Sequence, residues 1–164
     1  MTNKNVSLLD YTIATFLGAG FFPKIPGTFA SIIAIIPLLF IPFSLKFITI
    51  FSLIILFFFI SIPSIKKIEH KHGSDASIIV IDEILGMWLI YLSPIIPITW
   101  ISIILGLVLF RFFDIIKPGI IGKLNNKEGA LYVLLDDITA GLFSAIILHS
   151  FYLIYRFVFL IYFF

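Results

Sequence analysis

Long apolar runs alternate with short polar connectors along this chain. Residues 29–45 and 47–62 are apolar, separated by Lys46 and interrupted by Pro37 and Pro42. Residues 84–110 carry no charge, and residues 138–164 are apolar apart from His149 and Arg156. A helix that crosses a bilayer needs about 20 apolar residues, with a lower limit near 17. The first two runs are short by that measure and predict a helical hairpin bent between Pro42 and Lys46, its second arm ending at Pro63. The last run fits one long helix. Residues 8–17 predict a short helix lying at an interface. Residues 18–28, GAGFFPKIPGT, are rich in Gly and Pro and predict a loop. Residues 64–83 and 111–137 are the charged connectors.

The run 84–110 holds 27 residues, generous for one crossing and too few for two. One crossing would put Asp82 and Arg111 on opposite faces of a membrane. A shallow hairpin broken at Ser93-Pro94 and Pro97 would keep them together. Proline inside a helix removes a hydrogen bond and favours a break, so the hairpin is expected. Segments 1–28, 64–83 and 111–137 then share one face. That face holds nine of the eleven Lys and Arg residues and all nine Asp and Glu residues. The bias of basic residues makes it cytoplasmic. The expected fold is an all-α polytopic membrane protein: short helical hairpins plus a long C-terminal helix, with the polar motif loops gathered on one membrane face.

Composition agrees. The chain is 61% hydrophobic and 12% charged, with 20 Phe. Its 164 residues suit a single domain, 1–164. The lack of cysteine excludes disulfides, thiolate metal sites and a cysteine nucleophile. A net charge of +2 gives no case for nucleic acid. Residues 1–10 are polar and no small-residue cleavage site follows a brief apolar core, so they read as the start of the mature protein.

Against this background the carboxylates stand out. Four of the nine come as adjacent pairs, Asp82-Glu83 and Asp136-Asp137, each opening an apolar run. A carboxylate near a lipid-facing segment costs several kcal/mol unless it is paired, hydrated or bound to a cation. Helix capping explains one acid at each place better than two. Neighbours on a helix point about 100° apart, so one acid of a pair can bind a metal while the other meets a base. Oxygen-only ligands favour Mg2+ over zinc. Arg111, Asp114 and Lys117 stand three apart and share one helical stripe, as a surface ion-pair ladder or as a phosphate grip. In the segment Pro23 to Thr28, Thr28 is an N-cap candidate. Gly27 permits close backbone approach, and Lys24 lies beside a helix start that suits phosphate; plain turn chemistry explains the same residues. Gly86 is expected to allow close helix packing. Asp75 reads as an ordinary loop acid, His70 and His72 as solvated, and His149 as a polar packing residue.

Four blocks together carry a resemblance: GAGFFPKIPGTFAS (18–31), DASIIVIDEILGMW (75–88), FRFFDIIKPGIIGKL (110–124) and LLDDITAGLFSA (134–145). In order and spacing the chain resembles the phosphatidylglycerophosphatase A family of bacterial membrane lipid phosphatases. It departs from the family pattern at Ala30, at Gly119, near Asn125, and at Glu128 to Tyr132, where only Gly129 remains of a glycine-rich stretch. The resemblance implies Mg2+-dependent hydrolysis of phosphatidylglycerophosphate to phosphatidylglycerol and phosphate in phospholipid biosynthesis, at the cytoplasmic face of the bacterial inner membrane. The substrate would be a phospholipid resident in the bilayer. On this view Asp82, Glu83, Asp136 and Asp137 build the metal site and Asp114 is a further ligand or base. Arg111, Lys117 and Lys24, with Gly27 and Thr28, would hold the phosphate. Two other lipid-enzyme classes fit less well. The chain lacks the row of aspartates at four-residue spacing of CDP-alcohol phosphotransferases and the Ser-Gly-His block of type-2 phosphatidate phosphatases. A small membrane carrier or scaffold would place its acids at mid-membrane depth, whereas these lie at the ends of apolar runs.

Overall fold

The structure, a computed structural model, describes residues 6–163, with side chains through residue 161. Residues 1–5, which open the segment read as the mature start, lie outside the described residues. All regular structure among the described residues is helical. The order is α1 (Leu8–Ala14), α2 (Pro26–Ile33), α3 (Ile35–Leu38), α4 (Lys46–His72), α5 (Ile81–Ile90), α6 (Trp100–Ile116), α7 (Ile120–Asn125) and α8 (Ala130–Phe163). Single 3-10 turns occupy Ala19–Phe21 and Phe43–Leu45.

Two segments, Phe43–His72 and Ala130–Ile161, are long and apolar enough to cross a membrane by length and composition. Their outward faces expose Phe47, Phe51, Leu56 and Phe59 on α4, and Phe151, Ile154 and Phe157 on α8. Helix α5 has ten residues, or about 15 Å, roughly half the thickness of a bilayer's hydrocarbon core. It is instead the centre of the packing: Ile81, Ile84, Leu85, Met87, Trp88 and Ile90 are all buried. Trp88 secures it to the early helices by donating Nε1–H to the Ala34 carbonyl at 2.8 Å.

The run 84–110 is a helix, a break and a second helix, as its prolines predict. The bend is held from outside. Buried Lys46 donates through Nζ to the carbonyls of Ser93 (3.0 Å) and Ile96 (2.6 Å), which a break in the helix leaves without intrahelical partners. Thr99 caps α6, its hydroxyl accepting from the Ser102 N–H at 3.3 Å. Across the hairpin, the Tyr91 hydroxyl donates to the Ser102 carbonyl at 2.9 Å.

Several expected boundaries move. Pro63 does not end α4, which runs on to His72. The turns beyond it are held by tertiary contacts: Ser64, Ile65 and Ile68 are buried, and Lys67 reaches α1. The first apolar run is two short helices, α2 and α3, rather than one arm. The loop expected over 18–28 gives its last three residues to α2, with Pro26 at the first helical position, where its fixed φ and missing N–H cost nothing.

Helix α1 is clamped to α4. Ser7 and Asp10 form a capping box, and Lys67 Nζ donates to both oxygens of Asp10 at 2.9 Å. Burial opposes ionisation of Asp10, but the hydrogen bonds from Lys67 and Ser7 outweigh it and hold the carboxyl at about 2.

Candidate active site

Five stretches of chain converge at the N-terminal end of α8: the start of α2, the start of α5, the end of α6, α7, and the second turn of α8 itself. Glycine makes the closest approach possible. A Cβ on Gly141 would run into the Gly86 carbonyl and lie 2.9 Å from the Gly86 Cα. A Cβ on Gly86 would stand 2.7 Å from the Asp137 carbonyl. The backbones of α5 and α8 therefore touch at this crossing. Gly86 lies one turn beyond Asp82 and Glu83, and Gly141 one turn beyond Asp137, so the crossing sets how the acids face each other.

One carboxylate oxygen each from Asp82, Glu83 and Asp137 falls within 4.8 Å of the others. Asp82 and Glu83 sit in the first turn of α5, behind Val80 as an N-cap that offers no side-chain bond. Burial, then the charges of Glu83 and Asp137, push the Asp82 carboxyl well above the usual range. Burial also raises Glu83. Such a group is unfavourable as bare anions and becomes favourable when a proton or a cation is shared.

Asp136 and Asp137 do not open α8; the helix begins six residues earlier, at Ala130. The two carboxylates part company. Asp137 turns to α5 and joins the three-acid group. Asp136 is held by Lys117, whose Nζ lies 2.6 Å from its Oδ2. The expected four-acid metal set is thus three acids plus an ion pair, because adjacent helical residues diverge by about 100°.

The stripe on α6 forms as expected. Arg111 Nη1 lies 2.7 Å from Asp114 Oδ2 and 3.8 Å from Glu83 Oε1. The first contact is an ion pair without hydrogen-bond alignment, which leaves Nη1 without a hydrogen bond; Arg111 Nε and Glu83 Oε2 are also buried with no hydrogen-bond partner among the described residues. Lys117 ends α6 in a left-handed conformation, φ +48°. From there Nζ reaches Asp136, Asp114 Oδ1 (3.9 Å) and Asn125 Oδ1 (2.6 Å). Burial opposes the charge on Lys117, but Asp136, with Asp137 and Asp114, outweighs it and raises the ammonium pKa.

The Pro23 to Thr28 segment contributes unevenly. Gly27 is buried, and a Cβ there would strike Glu83 Oε1 and lie 3.2 Å from Arg111 Nη1. The first turn of α2 is therefore pressed onto the Glu83–Arg111 pair. Thr28 is not the N-cap; Ile25 is, and Thr28 is the third helical residue. Lys24 is exposed at φ +74° and makes no ion pair with the acids. Asn125, a partner of Lys117, marked only a departure from the family pattern in the sequence; α6 ends at Ile116 and α7 begins at Ile120, so helical spacing does not link the two residues.

This constellation of buried acids, a partly unpaired arginine and a glycine-tight helix crossing falls in the region that relates the chain to known proteins. The family model for phosphatidylglycerophosphatase A matches residues 12–152. The chain belongs to the phosphatidylglycerophosphatase A family. It is accordingly a phosphatase. Phosphatidylglycerophosphatase A of Escherichia coli is 33% identical over 144 residues, covering 85% of this chain and 81% of that one. The Haemophilus influenzae protein of that name is 32% identical over 157 residues, covering 90% and 92%. A Bacteroides thetaiotaomicron protein, provisionally named as a phosphatidylinositol-3-phosphatase, is 37% identical over 150 residues, covering 88% and 94%. No solved structure is significantly similar to the chain.

In this phosphatase the mutually facing donors are all carboxylate oxygens, and Glu83 Oε2 is buried without a hydrogen bond. That donor chemistry fits a hard divalent cation. The unspent N–H groups of Arg111 beside it fit an anion.

Proposed function

We propose that this phosphatase hydrolyses the terminal phosphate of phosphatidylglycerophosphate, giving phosphatidylglycerol and phosphate, with Mg2+. The reaction takes place at the cytoplasmic face of the bacterial inner membrane, in phospholipid biosynthesis. The single observation that carries the reading is the pairing of unspent buried Arg111 N–H groups with three facing carboxylates at one end of the apolar helix α8. A phosphate monoester and a divalent cation complete each other's charge in such a place, while acyl chains remain beside the outward apolar surface.

Asp82, Glu83 and Asp137 would hold Mg2+, with Asp114 at the edge of the set. When bound, Mg2+ neutralises charge on the phosphoryl group and makes a bound water more acidic. Arg111 offers its guanidinium to the non-bridging oxygens, close to the glycine-bared start of α2. Lys117, kept cationic by Asp136, adds positive charge on the side of α7. Asp114, ion-paired to Arg111, is the group assigned to accept the proton of the attacking water at its carboxylate. The ester P–O bond breaks, its oxygen stays with the lipid and takes up the proton held by Asp114 to become a hydroxyl, and phosphate leaves. A carboxylate acting as nucleophile would give an acyl-phosphate instead. The excess of basic residues in the connectors supports the cytoplasmic side through the positive-inside rule.

The Bacteroides relative favours a second substrate of the same chemistry, a phosphatidylinositol monophosphate. The test is phosphate release by the purified protein in mixed micelles, with phosphatidylglycerophosphate or phosphatidylinositol 3-phosphate as substrate, in Mg2+ or in EDTA. Faster release from phosphatidylglycerophosphate, abolished by EDTA and by Asp82→Asn, is expected. Release indifferent to both the chelator and Asp82→Asn would remove the metal-site assignment.

A further inference from the structure

Beside the three-acid group lies a second polar space, and the reaction as described does not use it. A cavity of about 70 Å³ is lined by Asp75, Asn125, Asn126, Gly129, Tyr132 and Asp136, among others. Asp136, the chain neighbour of Asp137 in the three-acid group, lines this second space. Lys117 stands at the join, bonded to Asp136 on one side and to Asn125 on the other.

We infer that this cavity receives the glycerol of the lipid head group, the three-carbon unit that carries the terminal phosphate, and that Asp75 and Asn126 bond its one free hydroxyl. This rests on the head-group phosphatase reading above. Among the described residues the side chains of Asp75, Asn126 and Tyr132 make no hydrogen bond, so the cavity offers one carboxylate, one amide and one phenol with unspent capacity. A hydroxyl both gives and takes a hydrogen bond, so the single free hydroxyl of that glycerol can donate to the Asp75 carboxylate and accept from the Asn126 amide N–H.

Two alternatives fit the lining less well. An anion would meet Asp75, Glu128 and Asp136, and the one further cation, Lys127, is directed over the Tyr132 ring, 5.0 Å from its centre. A metal would need converging ligands, yet the only three-acid group with ligand spacing among the described residues is Asp82, Glu83 and Asp137. The backbone here is also held in unfavourable conformations. Asp75 has φ +52° and Lys117 φ +48°. Left-handed non-glycine residues cost energy and concentrate at binding and catalytic places.

The test uses two variants that spare the fold. Asp75→Gly removes the carboxylate and keeps the positive φ, which glycine adopts freely. Asn126→Ala removes an exposed amide that bonds nothing among the described residues. With phosphatidylglycerophosphate in mixed micelles, each variant is expected to raise KM about 3- to 10-fold, the worth of one hydrogen bond, with kcat within about twofold. The inhibition constant of the product phosphatidylglycerol should rise by the same factor, and that of inorganic phosphate should stay unchanged. An unchanged KM in both variants would overturn the inference. So would a parallel change in kcat and in phosphate inhibition, which would mark a structural role. If the unaltered protein released no phosphate from the lipid, the head-group phosphatase reading would fail first and this inference with it.

Discussion

Replacing Gly141 by alanine sets two calculable effects against each other. Gly141 lies inside α8, and alanine is a better helix former by about 1 kcal/mol at an interior position. On propensity alone the variant would gain stability, about 2–4 °C in Tm for a chain of this size. The structure reverses the sign. The added Cβ would meet the Gly86 carbonyl oxygen and stand 2.9 Å from both the Gly86 Cα and carbonyl carbon, where ordinary contacts begin at 3.4 Å. These are backbone atoms of the buried helix α5, so no rotamer change relieves the clash. Helix α5 must withdraw by about 0.5–1 Å, and overpacking of this kind costs about 1–3 kcal/mol. The net expectation is a loss centred on about 1 kcal/mol, within about 0–2 kcal/mol, and a fall of about 2–4 °C in Tm. Activity falls further, because Asp82 and Glu83 ride on α5 while Asp137 rides on α8, each one turn from the crossing. A displacement of about 1 Å in such a constellation costs about 100-fold in rate. The assay is thermal unfolding in detergent alongside phosphate release from the lipid substrate. A Gly141→Ala protein with a raised Tm and unchanged turnover would refute the packing argument.

Three further outcomes follow from the same geometry. Gly27→Ala places its Cβ against Glu83 Oε1, the movable end of a side chain, so Tm should stay within about 2 °C while turnover falls at least about tenfold, read by the same pair of measurements. Lys117→Met leaves the buried Asp136 carboxylate without its cation, and should cost about 1–3 kcal/mol in denaturant unfolding, partly recovered in Lys117→Met/Asp136→Asn. The Asp10 carboxyl is depressed to about 2 in the folded state, so its stabilising contribution is complete above the ordinary carboxylate range near pH 4 and is lost as the pH falls toward 2. The Tm gap between the unaltered protein and Asp10→Asn should be full at about pH 6, narrow below about pH 4 and close near pH 2; a constant gap would contradict the Lys67 clamp.

How far the sequence carried the site is clearest at its helices. The Ser93-Pro94 and Pro97 signals located the bend between α5 and α6, because a missing N–H is a local fact. The spacing of Arg111, Asp114 and Lys117 placed them on one stripe, because helical period is local too. Pro63 misled for the complementary reason: the turn after it persists through Ser64, Ile65, Ile68 and Lys67, whose partners are distant in the chain. The starts of α2 and α8 were misplaced because acids and hydroxyls that look like caps lie inside the helices.

The sequence by itself determined that the chain is apolar and helical, that its acids and bases concentrate in three connectors, and to which family it belongs. Composition, period and motif order are properties of the linear chain. Only the tertiary structure decided which acids share a centre. Asp137 joins Asp82 and Glu83 while its neighbour Asp136 goes to Lys117, because two glycines let α5 and α8 meet backbone to backbone and so fix the rotation of each helix. Orientation about a helix axis, unlike position along it, is set by what the helix packs against.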